Sequence, residues 1–306
     1  MADLPLVTPT LPREEVGDQK GRTRLGSIVA YCQRNPQLVV GLALLLFLIL
    51  VGVLGGFFFT VQDAQPMTAA ADLSPAPDHP LGTDDQGRDL LAVLVVGLPL
   101  TLRIGLLAGG VGLGLGIVLG LLAGYRGGLV DVVIRMVVDT LLTVPSLLIL
   151  LIIAASIKSF ISVDIMALVV ASLAWTHPTR TIRSQVLSLR ERAYVQMAKL
   201  SGMNTFHIIA REIMPNLLPY LAASFVGAVA SAILSSIGLE ALGLGPQNEP
   251  TIGMTIYWAI YFNALLRGIW WWWIPPIVVV VVLFLGLYLM SAGLDEITNP
   301  RLRRAA

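Results

Sequence analysis

Arg180-Thr-Ile-Arg-Ser-Gln-Val-Leu-Ser-Leu-Arg-Glu-Arg-Ala-Tyr-Val-Gln-Met-Ala-Lys-Leu-Ser-Gly-Met-Asn-Thr-Phe-His-Ile-Ile-Ala-Arg-Glu-Ile-Met-Pro-Asn216 is a polar island between two apolar stretches. Ile165 to Thr176 before it and Ile213 to Leu239 around and after its end carry no charge. Inside the island Tyr194, Met197, Ala198 and Ser201 recur at helical spacing, while Arg190, Glu191, Arg192 and Lys199 supply charge around them. The spacing predicts a short amphipathic helix. Gly202 can adopt a left-handed conformation and end it, and Asn204 can cap a second short helix. Pro215 falls in the first turn of the next helix, where its missing N–H costs no needed bond.

Working outward, the chain has 56% hydrophobic residues, 13% charged residues and a mean hydropathy of +0.81, far too apolar for a soluble domain of 306 residues. Several windows reach the ~20 residues that a spanning helix needs, and none shows the period-two pattern of a membrane barrel. The expected class is an all-α polytopic membrane protein. A formal net charge of +1 gives no pull toward nucleic acid, and the single cysteine, Cys32, offers neither an intrachain disulfide nor a metal cluster.

Six spans are expected. Gln37 to Phe59 is charge-free and too long for a signal-peptide core, so it reads as an uncleaved first span. The second is charge-free from Ile104 to Tyr125, the third from Thr140 to Ile157, the fifth from Ile213 to Leu239, and the sixth runs from Gly268 to Leu294. The fourth is shorter, Ile165 to Thr176 with Ser159 to Val163 available across Asp164, and parity requires it. The corresponding division is a tail 1–36, a first span 37–59, an external loop 60–92, a core 93–294 with five spans and the polar loop 177–215, and a tail 295–306. Segments on the island's side hold fifteen Lys and Arg, against three on the other, Arg88, Lys158 and Arg267. By the positive-inside rule both termini and the island face the cytoplasm.

Gly112, Gly116, Gly120 and Gly124 form a ridge of small residues that lets helix backbones approach closely, either within the chain or against a second membrane subunit; a solute-lining role is the other reading. Asp131, Arg135 and Asp139 lie four apart, and an ionisable group at membrane depth is costly unless paired, so an Arg135–Asp139 ion pair within that ladder is expected. Trp270 to Trp273, preceded by Tyr257, Trp258, Tyr261 and Phe262, reads as an interfacial aromatic belt, with stacking against an entering solute as the alternative. Thr83, Asp84, Asp85, Arg88 and Asp89 crowd polar groups beside Gly82 and Gly87, as in a tightly turned, internally bonded loop. No phosphate-binding G-x-x-x-x-G-K-[ST], HExxH or G-x-S-x-G motif is present, and His79, His177 and His207 are scattered.

From His79 to its end the chain resembles the second permease subunit of dipeptide and oligopeptide ABC importers. The resemblance rests on His79-Pro-Leu-Gly-Thr-Asp-Asp-Gln-Gly-Arg-Asp89, Gly120-Leu-Leu-Ala-Gly-Tyr-Arg-Gly-Gly128, Asp139-Thr-Leu-Leu-Thr-Val-Pro-Ser146, Leu242-Gly-Leu-Gly245 and Asn299-Pro-Arg-Leu-Arg303. It implies that the island is the loop that couples to the ATPase subunits, with Arg190, Glu191, Tyr194, Gln196, Met197, Ala198, Ser201, Gly202 and Pro215 as its working residues. Gln196 stands where that loop carries a glutamate, Glu240-Ala241 where Ser-Phe is common, and Arg103 replaces a basic residue usual nearer the start of its helix.

The implied partners are a homologous second permease, two ABC ATPases that bind ATP and Mg, an extracytoplasmic solute-binding protein and the bilayer. No cofactor, metal or catalytic residue is implied in this chain itself. Tyr257, Trp258, Tyr261 and Trp270 are candidates for an aromatic solute path or interface. Oligosaccharide is the alternative substrate, and an ion-coupled carrier or a membrane scaffold the alternative functions; a carrier should show inverted repeats and broken helices, and none is evident. Neighbouring genes for a Walker-motif ATPase and a binding protein would separate these readings.

Overall fold

In the computed structural model residues 35–298 are described; the N-terminal tail, Cys32 and the terminal Asn299 to Arg303 motif lie outside them. The first element, α1 (Pro36–Gly55), has no charged residue and exposes Leu42, Leu46, Phe47, Leu50 and Val53 around its circumference, as suits a helix solvated by lipid. It leans on the last helix at Gly41, whose missing side chain admits the backbone of Gly286 and Met290, and on Pro99 at Gly52.

Helix α2 (Leu90–Leu121) starts where Asp89 accepts a hydrogen bond from the Ala92 N–H at 2.9 Å, and runs on through a π-helical turn, Leu122–Arg126. At 1.5 Å per residue this unbroken 37-residue rod is about 55 Å long, nearly twice a bilayer's ~30 Å apolar core. The charge-free part begins at Ile104, as the sequence indicates, but the helix begins fourteen residues earlier. Its first turns are buried in protein instead of lipid: Leu90, Ala92, Val93, Leu94 and Leu98 are all inside.

The expected third span is two helices, α3 (Gly128–Thr143) and α4 (Ser146–Ser156), set at 87°. Pro145 explains the break: it has no N–H to donate and forces Val144 into an extended conformation, φ −92°, ψ 133°. Helix α5 (Val163–Ala174) has only 12 residues and passes through Trp175 directly into α6 (Thr176–Arg190). The island supplies α7 (Ala193–Leu200) and α8 (Thr205–Ile208), followed by a π-helical turn, Ile209–Ile213. Then come α9 (Met214–Ala241), α10 (Ile252–Tyr261) and α11 (Trp270–Thr298). Among the described residues four helices are long and apolar enough to cross a membrane, or five if the bent pair counts as one span.

Helices α2 and α9 form the axis of the unit that begins at Gln37. Their backbones touch at Gly109, where a Cβ would stand 2.8 Å from the Val229 nitrogen. The glycine ridge faces the α5–α6 segment within this chain: Gly112 meets Ala174, Gly116 meets Pro178, Gly120 meets Ile182 and Gly124 meets Val186. One side of this axis buries Ile104, Leu150, Met166 and Val170; another buries Leu48, Leu98, Ile233 and Leu283. A third cluster, Ile182, Val186, Val195, Ile208, Ile213 and Leu217, lies under the island.

Candidate functional site

The island is held by the ends of three helices. Arg190 closes α6, and its Nη1 donates to the Gly124 carbonyl oxygen at 2.9 Å, using an acceptor freed by the π-helical end of α2. Its Nε donates to Glu191 at 3.0 Å. Lys199 lies 5.7 Å from the Tyr125 ring centre on the same end of α2. Gln196 donates to the Arg190 carbonyl at 3.1 Å and to Glu191 at 3.4 Å. An ionised glutamate could accept but not donate there, so the substitution noted in the sequence links α7 to the last carbonyls of α6.

Gly202 ends this part of the island with φ +75°, and a side chain added there would meet nothing within 4 Å, so the position is constrained by backbone conformation alone. Asn204 accepts from the His207 N–H at 2.9 Å, and Pro215 occupies the first turn of α9. Ser201 bonds back to the Met197 carbonyl at 2.9 Å.

Helix α7 divides its residues differently from a simple reading of its spacing. Val195 and Ala198 point inward onto Ile208, Ile213 and Leu217. Tyr194, Met197 and Leu200 point outward at 37%, 64% and 83% exposure, and Phe206 of α8 is 76% exposed. Met197 and Ala198 are one residue apart, hence about 100° apart around the helix, and the structure turns the first outward and buries the second. Leu200 and Phe206, which the periodicity did not single out, complete an exposed apolar patch on an otherwise charged segment.

The ion pairing inside α3 differs from the expected ladder. Asp131 takes both prongs of Arg183 from α6, the Nη2 bond measuring 2.6 Å, instead of pairing along its own helix. A guanidinium arriving from a neighbouring helix can meet both carboxylate oxygens. Neither Arg135 nor Asp139 forms an ion pair among the described residues; both line a narrow crevice with Thr179 and Arg180.

At the other end of the molecule lies a second polar segment, built around residues 60–89. Asp84 is fully buried and accepts from the Gln86 and Arg88 N–H groups, both at 2.9 Å, and from Arg88 Nε at 2.6 Å. Thr83 donates to Ala70 at 2.7 Å and accepts from the Leu73 N–H at 2.8 Å. His79 meets Asp89 at 2.7 Å. Arg267 reaches back between α10 and α11 to Asp85 at 2.7 Å and to Asp72, and these bonds raise its pKa above the usual guanidinium value. Thr60 holds the Asp63 carboxyl below the usual carboxylate range by backbone and hydroxyl hydrogen bonds.

Most of the tryptophan run belongs to this segment's interior. Trp272 is fully buried and stacks on Phe262, which stacks on Trp258, whose ring lies 5.9 Å from the Arg88 guanidinium. Trp271 packs on Gly82, whose positive φ of 68° turns the loop beneath it. Of the four, Trp270 is the exposed ring, at 51%. Tyr261 is also exposed, and Tyr257 lies over Gly243.

Glu240, which the sequence marks only as an unusual residue, is completely buried near the end of α9. Its carboxyl accepts from Ser236 and Thr251, and Gly253 lies so close that a Cβ would stand 2.4 Å from Oε2. These contacts join α9 to the start of α10. Its signal in the sequence is a single carboxylate ending a 27-residue charge-free run. Among the described residues no group of three His, Cys, Asp or Glu side chains could hold a metal ion.

A long all-helical scaffold with lipid-compatible faces, and a rigidly mounted apolar patch on a charged inter-span segment, define an integral membrane protein that works with a further protein. The model of the family described as "Binding-protein-dependent transport system inner membrane component" matches residues 116–304, and the chain belongs to that family. It is 28% identical to the dipeptide transport system permease protein of Bacillus subtilis (strain 168) over 276 residues, covering 89% of this chain and 84% of that one. Against the oligopeptide transport system permease protein of the same organism it is 28% identical over 270 residues, with 88% and 87% covered. Against the oligopeptide transport system permease protein of Escherichia coli (strain K12) it is 36% identical over 215 residues, with 70% and 69% covered.

Proposed function

We propose that this permease forms half of the membrane pore of an ABC importer for dipeptides or oligopeptides. The other half is a homologous permease; two ATPase subunits, which bind ATP and Mg, sit on the cytoplasmic side, and a solute-binding protein delivers from outside. In this reading the chain crosses the plasma membrane six times, with the bent α3–α4 pair and the α5–α6 segment as the third and fourth spans. Both termini and residues 180–212 are cytoplasmic, and 60–90 and 240–267 external. The charge asymmetry of the sequence supports this orientation.

The observation that carries the mechanism is the exposed patch of Tyr194, Met197, Leu200 and Phe206 on helices tied by Arg190 and Gln196 to the ends of α2 and α6. Closure of the ATPase pair around ATP pushes on this patch. Because α7 is bonded to α6 and α6 in turn to the end of α2, the push moves whole helices instead of bending a loop, and the pore switches from inward-open to outward-open. The test is to purify the complex with Leu200→Asp and measure retained ATPase subunits and peptide uptake in proteoliposomes. Loss of both, with the two permeases still paired, is expected; wild-type values for both would remove the patch as the coupling surface. Peptide as the cargo is supported by the relatives' names. Recovery of an oligosaccharide and no peptide from the cognate binding protein would reassign it.

A further inference from the structure

Helix α9 has two very different sides at membrane depth. One borders an apolar groove of about 550 Å³, with Leu45, Ile49, Leu106, Phe225, Leu283 and Met290 among its walls. The other borders a cavity of about 380 Å³ between α9, α6 and α11, into which Tyr220, Ser224, Ser231, Thr181, Ser291 and His177 contribute, with one carboxylate, Asp295 of α11, on the same lining.

The depth of the second cavity follows from the glycine ridge. Ala174 and Pro178 on its wall touch Gly112 and Gly116, which lie in the charge-free part of α2. From Tyr220 to Ser231 the lining follows α9 for about 16 Å, half of a bilayer core. Thr181 bonds to backbone carbonyls of its own helix. The hydroxyls of Tyr220, Ser224, Ser231 and Ser291 make no hydrogen bond to any other described residue; the same is true of Ser188 and Ser235 outside the cavity, whereas Ser172, Ser184 and Ser201 bond to carbonyls of their own helices. Four hydroxyls gathered on one wall at membrane depth, none turned back onto its own helix, suit water or a polar solute better than lipid. Nothing occupies the room in front of it: a Cβ at Gly227, midway along the wall, would meet no atom within 4 Å.

We propose that this cavity is the chain's contribution to the solute path, and that it takes an uncharged, amide-rich stretch of solute through hydroxyls that both donate and accept. The inference rests on the permease reading above and adds to it a place and a chemistry. From Tyr220 to Ser231 the α9 wall carries no charge, and its hydroxyls can follow successive backbone amides while placing little demand on side chains; the carboxylate of the lining, Asp295, stands on α11. The wall therefore recognises the main chain, and discrimination among peptides lies elsewhere.

Two sets of variants test this in the complete reconstituted complex. Gly227→Ala should transport like the parent, whereas Gly227→Phe should lower peptide uptake at least about tenfold by filling the path. Stimulation of ATP hydrolysis by loaded binding protein should persist in Gly227→Phe, because the island is untouched. In a Cys32→Ser background, Ser224→Cys and Ser231→Cys should react with a charged, membrane-impermeant thiol reagent, and a saturating peptide load during turnover should slow the reaction. Parental uptake by Gly227→Phe would overturn the proposal. So would cysteines that react only with a lipid-soluble reagent, or that instead cross-link to the second permease. If the parent complex itself takes up no peptide, the permease reading fails first, and the labelling pattern still reports whether the wall is wet.

Discussion

The island and the module of residues 60–89 are both polar segments that interrupt apolar helices, and both carry large apolar side chains. They use them in opposite ways. The module turns its rings inward: Trp272, Phe262 and Trp258 stack on one another and on Arg88, while Asp84, Thr83 and Arg267 bond the surrounding loops. The island keeps small inward contacts, Val195 and Ala198, and leaves Tyr194, Met197, Leu200 and Phe206 outside. The module closes on itself by these contacts, although Asp72 Oδ1, Arg88 Nη2 and the Trp272 and Trp273 indole N–H groups are buried in it without a hydrogen-bond partner. A segment that leaves apolar groups exposed beside charges needs another protein to complete it.

That contrast breaks most easily at Asp84. Asp84→Ala would leave Arg88 buried without its anion, and losing one member of a buried pair costs about 3–5 kcal/mol. The module should open, detected as proteolysis within residues 60–89 and a lower unfolding temperature of the purified complex, while the island's ATPase contact survives. Unchanged stability would show that the module is held by its aromatic stack alone.

Met197→Ala should do the reverse. The side chain is exposed in this chain, so stability should stay within about 0.5 kcal/mol. Affinity for the ATPase subunits should fall by about 2–5 kcal/mol if Met197 is fully packed against them. Titration of ATPase subunits onto the permease pair, beside a thermal melt, separates the two effects.

Gly202→Val sharpens the difference between conformation and contact. A Cβ there meets no atom within 4 Å, so the main cost is the left-handed backbone, about 1–3 kcal/mol. The permeases should insert and pair, with stimulated ATP hydrolysis no longer producing uptake. The smallest effect is expected of Gln196→Glu, which loses a donor to the Arg190 carbonyl and adds a charge near Glu191, costing about 1 kcal/mol. Its signature is a modest drop in transport at unchanged ATPase affinity; improved coupling would mean that the glutamate makes its contact in the partner.

Local punctuation was legible in the sequence. Gly202, Asn204 and Pro215 act as their residue types dictate, and the charge-free runs of α1, α9 and α11 mark those helices within a few residues. The glycine ridge was legible as an interface but not its partner, because the spacing of one helix does not say which helix faces it. The Asp131–Arg183 pair joins residues 52 positions apart, so the nearer Arg135 looked like the natural partner. The tryptophan run looked like a belt because a ring's preference for an interface and its burial in a folded loop give the same composition.

By itself, then, the amino-acid order determined an all-helical membrane protein, the bounds of α1, α9 and α11 to within a few residues, and a charged inter-span segment of helical period. These depend on interactions within about one turn of chain, where hydrogen-bond geometry and side-chain spacing are read directly. Only the tertiary structure decided that Pro145 sets two helices at 87°, that Glu240 joins α9 to α10, and that α9 borders grease on one side and open hydroxyls on the other. Those outcomes depend on which distant surfaces meet, and that is settled by packing and by the need of every buried polar group for a partner.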